Sequence, residues 1–94
     1  MDCIHLEIRG RVQGVGFRWF ICETARRLDL SGWVSNRADG LVELAAAGDA
    51  LSLEKLAADA RKGPPGAIVE EVRTLPPIDP ASLSKPFGIA RVDR

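Results

Sequence analysis

The sequence has little of what several classes of protein need. Its 94 residues include two cysteines, one histidine and no tyrosine, and aromatic residues make up 5%. Two cysteines are too few for a disulfide scaffold, and their spacing with the single histidine resembles no zinc ligand set. Thirteen basic and thirteen acidic residues leave a formal net charge of zero. This neutrality argues against a general nucleic-acid binder, which normally carries a basic surplus.

Long apolar runs are also missing. No apolar stretch reaches the roughly 18 residues needed to cross a bilayer, and residues 1–5 show no basic start followed by an apolar segment. We therefore expect a cytoplasmic protein with no membrane association. A length of 94 residues predicts one domain, residues 1–94, without an internal linker.

Hydrophobic periodicity predicts five strands and two helices. The predicted strands cover residues 4–9, 33–35, 41–47, 67–75 and 87–91, and the predicted helices begin at Phe17 and after the N-cap Asp49. The order β-α-β-β-α-β, followed by a short edge strand, is the ferredoxin-like split β-α-β plan. We therefore predict an α+β sandwich, with two helices on one face of an antiparallel sheet.

A glycine-rich segment separates the first strand from the first helix. It reads Gly10-Arg11-Val12-Gln13-Gly14-Val15-Gly16-Phe17-Arg18. A helix N-terminus presents N–H groups without acceptors and a partial positive charge, and successive N–H groups can form an anion-binding nest. Arg18 falls in the first helical turn, where a cation is unfavourable by roughly 0.3–1 kcal/mol unless an anion lies nearby. The pattern favours a phosphate cradle, although a common tight turn with a solvated Arg18 also fits it.

Asn36 stands at the end of the predicted second strand, on the same sheet face as Val34. Asparagine is a poor strand former and commonly initiates a turn. Its amide can also accept a hydrogen bond from a water, and so orient a nucleophile without acting as a base. Both roles stay open from the residue alone.

Two segments resemble the signatures of the acylphosphatase family. Ile8-x-Gly10-x-Val12-Gln13-Gly14-Val15-x-Phe17-Arg18 is similar to the first, and Gly32-Trp33-Val34-x-Asn36-x-x-x-Gly40-x-Val42, followed by Gly48, is similar to the second. Both stand in the right order and near the right separation, and the similarity runs from about Ile4 to Val92. Ser35 departs from the family pattern, which often has a basic or amide residue there. Because alternation points Ser35 away from Asn36, we expect it to alter surface charge rather than catalysis.

The resemblance implies a ferredoxin-like fold and the hydrolysis of acyl phosphates to a carboxylate and inorganic phosphate. It implies a phosphate-binding loop made of Gln13, Gly14, Val15, Gly16, Phe17 and Arg18. The catalytic residues would be Arg18, which binds phosphoryl oxygens, and Asn36, which positions the attacking water. No metal or other cofactor is implied. The leaving carboxylate, whose acid has a pKa of about 4, departs without a proton, so no histidine is needed.

Several other residues have both a structural and a functional interpretation. We expect His5 to be solvated, because it lies on the strand face opposite the predicted core. Trp19 and Trp33 are expected to pack partly into the core, although either could line a substrate mouth. Cys3 and Cys22 are expected to be free thiols, because the fold holds them too far apart to be bridged.

Two other functions remain to be weighed against the hydrolase. Acylphosphatase-like domains also occur at the N-terminus of hydrogenase maturation proteins. This sequence carries no zinc-finger cysteines, so we do not expect it to have that role. Ferredoxin-like sheets that bind RNA usually expose aromatic residues on their central strands, whereas the first strand here offers His5, Glu7 and Arg9. We therefore expect a monomer that takes a small acyl phosphate and no nucleic acid. Three arginines, Arg9, Arg11 and Arg37, would be either solvated charges or a source of positive potential near the loop.

Overall fold

A computed structural model describes residues 1–90 and shows two helices packed on a five-stranded mixed sheet. The strands are β1 (Asp2–Arg11), β2 (Ser31–Asn36), β3 (Val42–Gly48), β4 (Ile68–Thr74) and β5 (Gly88–Ile89), and the helices are α1 (Phe17–Arg27) and α2 (Ala50–Lys62). A 3-10 turn covers Pro80–Ser82. The strand order is β4-β1-β3-β2-β5. The predicted ferredoxin-like α+β fold is confirmed. No helix within residues 1–90 is long and apolar enough to cross a membrane.

The sheet is antiparallel except at one edge. β1 pairs with β3 and β4, and β2 pairs with β3, all in antiparallel fashion. β5 instead runs parallel to β2, with Trp33 opposite Gly88 and Val34 opposite Ile89. The prediction of a wholly antiparallel sheet was wrong here, because the chain after β4 crosses the sheet before it returns beside β2. The predicted last strand, 87–91, is also shorter, and its Arg91 lies outside the described residues.

The main core lies between the sheet and the two helices. Alternation in β1 and β2 and helical spacing in α1 and α2 turn their apolar residues toward one another, as predicted. Asp49 caps α2 as expected, because its side chain accepts a hydrogen bond from the amide of Ser52. The buried residues of this core are Leu6, Ile8, Val12, Phe17, Ile21, Cys22, Ala25, Leu30, Val34, Val42, Leu44, Ala46, Leu53, Leu56, Ala60 and Phe87.

The segment 75–87 covers the helix-free face of the sheet through residues such as Ile78 and Leu83, and its last residue, Phe87, packs into the main core instead. The amide of Gly32 in β2 donates to the carbonyl of Ser84, and Leu83 packs against Ala45 of β3. Because both faces of β3 are covered, six of its seven residues are buried. This accounts for a strand sequence, VELAAAG, in which small apolar residues follow one another instead of alternating with polar ones.

His5 is largely covered by this segment, so the prediction of a solvated histidine was wrong. Its side chain is 12% exposed, and its Nε2 lies 2.6 Å from Oε2 of Glu43. Its Nδ1 lies 2.8 Å from the carbonyl oxygen of Pro76. Ser35 is fully buried on the same face, so the surface role expected for it was also wrong. Both errors have one cause: alternation shows which residues turn away from the main core, but not whether a later segment covers them.

The buried pair of His5 and Glu43 gives a stability prediction. His5→Ala would leave the buried Glu43 carboxylate with only a long contact, 4.0 Å from its Oε1 to Nη1 of Arg37. We expect the free energy of unfolding to fall by about 2–4 kcal/mol, the scale for a broken buried pair. Arg9→Ala is the control, because the Arg9–Glu71 pair is exposed and such pairs contribute about 0–1 kcal/mol. Urea denaturation of both variants measures the difference, and equal losses would contradict a buried role for His5.

Candidate active site

The loop between β1 and α1 leaves the start of the helix without a side-chain cap. Gly16 is the N-cap residue, and no side chain accepts a hydrogen bond from the first turn. The amide of Phe20 is bonded back to the carbonyl of Gly16 at 3.0 Å. The amides of Phe17, Arg18 and Trp19, which precede it, therefore lack a helical acceptor. Since the first turn also holds no acidic residue, it is suited to an external anion.

Two glycines give the loop its shape. Gly14 and Gly16 have φ values of 75° and 77°, in the left-handed region that favours glycine. A Cβ atom at either position would meet nothing within 4 Å. The backbone conformation, rather than crowding, therefore requires glycine at both positions, and the space beside them is open to a ligand.

Arg18 lies in the first turn of α1, where the sequence predicted it. It is exposed, and within residues 1–90 no carboxylate lies within ion-pair distance of it. Its cation therefore stands at the positive end of the helix dipole without a compensating charge from the described part of the protein. An anion bound between Arg18 and the open amides would remove this unfavourable arrangement.

Asn36 ends β2 on the sheet face that carries the helices, which is also the face of Val34. Its Oδ1 atom is buried and has no hydrogen-bond partner among the described residues. A buried acceptor left unpaired is unfavourable by about 1–3 kcal/mol. A water that donates a hydrogen bond to Oδ1 would relieve this, so the site is suited to hold one.

A single pocket brings Arg18 and Asn36 together. Its volume is about 150 Å³, and it is lined by Val12, Gly14, Gly16, Phe17, Arg18, Trp19, Asn36 and Ile89. At roughly 30 Å³ per water, this is room for about five waters, enough for a phosphoryl group and an attacking water. Arg18 is the charged residue among those that line the pocket, and much of the remaining lining is apolar. Ile89 was missed by the sequence analysis, because only the return of β5 beside β2 brings it here.

Two of the predicted phosphate-binding residues do not line this pocket. Nε2 of Gln13 donates to the carbonyl of Arg37 at 2.8 Å and to the carbonyl of Leu41 at 3.0 Å. Gln13 thus ties the loop to the turn between β2 and β3, next to Asn36. Val15 packs against the main core. For both residues, only the backbone is available to a ligand in the pocket.

The surroundings of Trp19 and Arg37 also differ from the sequence-based expectations of a partly core-packed tryptophan and of a solvated arginine. Trp19 is 64% exposed, so it lines the mouth of the pocket instead of packing into the core. The Arg37 side chain pairs with Glu7 and Asp39. The hydrogen bond with Glu7, opposed by burial, raises the pKa of Arg37 above its ordinary value. Arg37 therefore stays charged, but nearby carboxylates already compensate its charge.

The chain is similar throughout to known acylphosphatases. The acylphosphatase family model matches residues 4–88. An acylphosphatase of Acidiphilium cryptum is 49% identical over 87 residues, which cover 89% of this chain and 96% of that protein. The crystal structure of acylphosphatase from Bacillus subtilis matches with a TM-score of 0.81 at 32% identity, covering 96% of this chain and 99% of the other.

A larger protein contains a similar unit. The structure of T. kodakarensis HypF matches 99% of this chain with a TM-score of 0.79 at 29% identity, but the match covers 12% of the HypF chain. Both sequence signatures lie on the elements that build the pocket, and the fold and the relatives agree with them. The chain belongs to the acylphosphatase family of hydrolases.

Proposed function

We propose that this protein hydrolyses acyl phosphates, with the phosphoryl group held at the start of α1 and the water held by Asn36. One juxtaposition supports the proposal. Within residues 1–90, one pocket combines the open first-turn amides, an arginine without a carboxylate partner and a buried amide oxygen without a donor. The first two suit an anion, and the third suits a water.

The phosphoryl group is bound by the loop 13–18. The amides of Phe17 and Arg18 donate to its oxygens, and the planar guanidinium of Arg18 donates two parallel hydrogen bonds. Gly14 and Gly16 let the backbone approach closely. Gln13 and Val15 take part through their backbone amides alone, because their side chains are engaged elsewhere.

The water attacks phosphorus from the side of Asn36. A bond forms between the water oxygen and phosphorus as the bond from phosphorus to the carboxyl oxygen breaks, and the water proton passes to a phosphoryl oxygen. The products are a carboxylate and inorganic phosphate. The leaving group, whose acid has a pKa of about 4, needs no proton donor. Because the transition state of phosphoryl transfer is usually loose, catalysis rests on positioning and electrostatic stabilisation, and the scheme uses no metal or cofactor.

Gln13 acts as a positioning residue in this scheme. Its two hydrogen bonds hold the carbonyls of Arg37 and Leu41, which flank the turn after Asn36. The amide of Arg37 also donates to Leu41 at 2.8 Å and closes that turn. Gln13 thus links the phosphate loop to the residue that follows Asn36, and the pairing of Asn36 with Val42 adds a second restraint.

The expected cytoplasmic location, single domain, monomeric state and lack of a nucleic-acid partner stay predictions. The segment 75–87 bears on the last of these, since it covers the helix-free sheet face that an RNA-binding function would need to expose.

Asn36→Ala tests the role of the water. We expect kcat for benzoyl phosphate, measured in excess chelator, to fall about 10²-fold or more, the scale for loss of one preorganised polar group. The inhibition constant for inorganic phosphate should change far less, because the loop is intact. Full turnover by this variant would contradict the proposed role of Asn36.

Arg18→Gln tests the phosphate contact. We expect nearly all turnover and phosphate inhibition to be lost, because the bidentate cation is gone. Arg11→Gln is the matched control, since it removes the same charge from the end of β1, close to the loop, at a residue that does not line the pocket. If the two variants lost activity equally, general attraction of anions would explain the data better than a specific contact.

Gln13→Ala tests whether the Gln13 side chain positions Asn36 or binds the phosphoryl group directly. We expect kcat to fall about tenfold, since small displacements of catalytic groups have large effects on rate, while the phosphate inhibition constant is maintained. Gln13→Met, which keeps the length of the side chain but removes the amide donor without adding a charge, should behave alike. A weaker phosphate inhibition with unchanged kcat would instead make the Gln13 side chain a direct phosphate ligand.

A further inference from the structure

A second depression adjoins the phosphate pocket, and the function above assigns it no role. It lies between α1 and β5, has a volume of about 550 Å³ and is lined by Trp19, Cys22, Glu23, Arg26, Arg27 and Ile89. Trp19 and Ile89 also line the phosphate pocket. The two depressions therefore share a wall, and we refer to the larger one as the acyl groove.

The shared wall is apolar and exposed. Trp19 is 64% exposed and Ile89 is 49% exposed, and they are two of the five large hydrophobic residues that the described part of the chain leaves exposed. Val12 and Phe17 also line the phosphate pocket, but they are buried in the main core. Trp19 and Ile89, which line both depressions, are thus the exposed apolar surface available to an acyl group attached to a phosphoryl group in the pocket.

The far end of the acyl groove carries positive charge. Arg27 pairs with Glu23, so their charges offset each other. Nε of Arg26 donates to the carbonyl of Phe87 at 2.7 Å, which fixes the guanidinium beside the groove. No carboxylate within residues 1–90 lies within ion-pair distance of Arg26. Trp19, Glu23 and Arg26 follow one another along one side of α1, so the cation stands roughly 10 Å along the helix axis from Trp19.

We propose that the acyl groove binds the acyl group of the substrate and selects acyl groups with a flat apolar body that ends in a second anion. Trp19 and Ile89 contact the body, and Arg26 binds the terminal anion. This inference rests on the proposed function, because it takes the phosphoryl group to lie in the adjoining pocket. Trp19 and Arg26 are thus specificity-determining residues and take no part in the chemical step.

Three substrates separate these contributions. Acetyl phosphate has almost no acyl body, benzoyl phosphate adds a flat apolar ring, and 4-carboxybenzoyl phosphate adds an anion to that ring. Each variant is compared with the wild type through the ratio of kcat/KM values for two substrates, so that the intrinsic reactivities of the substrates cancel.

Trp19→Ala should lower the benzoyl-to-acetyl ratio about tenfold, because burial of the ring against the indole is lost. The control Leu51→Ala removes another exposed hydrophobic residue, 75% exposed on α2, and should keep the wild-type ratio. An unchanged ratio in Trp19→Ala would overturn the placement of the acyl body.

Arg26→Gln should lower the 4-carboxybenzoyl-to-benzoyl ratio about threefold, the scale of an exposed ion pair, and the effect should fade in high salt. Glutamine keeps an N–H donor for the carbonyl of Phe87. Arg61→Gln, which removes a charge from α2, is the control and should keep the ratio. A ratio that does not fall would overturn the anion subsite. Failure of the proposed function itself is distinct, because the wild type would then hydrolyse none of the three substrates.

Discussion

The start of α1 is the constraint on which the rest of the site depends. In the part of the chain that the structure describes, three backbone amides at the helix start lack an acceptor, and Arg18 beside them lacks a carboxylate partner. Elementary electrostatics favours an anion at such a position. Gly14 and Gly16, with their left-handed backbone conformation, shape this opening. Asn36, at the end of β2, adds a hydrogen-bond acceptor for a water. One small pocket thus offers hydrogen-bond donors to a phosphoryl group and a hydrogen-bond acceptor to the attacking water.

The support for this site comes from the other side of the sheet. The segment 75–87 covers much of the helix-free face and largely shields the pair of His5 and Glu43 there. Near the same end of the sheet, Arg37 is held by Glu7 and Asp39, while its carbonyl accepts from Gln13. The residue that follows Asn36 is therefore fixed both through its side chain and through its backbone. Preorganisation of this kind is what catalysis without a general acid requires.

The sequence was informative where local rules decide the structure. Alternation in residues 4–9, the period of α1 and the Asp49 cap each depend on neighbouring residues, and the predicted order of elements is confirmed. The burial of His5 and Ser35 could not be predicted in the same way, because it depends on a proline-rich segment some 40 or more residues away along the chain. The consecutive apolar residues 44–47 in β3 were the one available signal that both sheet faces are covered. Ile89 was missed for a related reason, since the direction of β5 is set by that same crossing segment.

The central claim is that the open amides of α1 bind the phosphoryl group, and nuclear magnetic resonance tests it most directly. Inorganic phosphate would be titrated into the ¹⁵N-labelled protein while backbone and side-chain amides are followed. The account predicts saturable shifts that are largest at the backbone amides of residues 14–19 and reach the side-chain amide of Asn36. Saturable binding that shifts other regions, such as the exposed arginines of β1, and leaves residues 14–19 unchanged would contradict it.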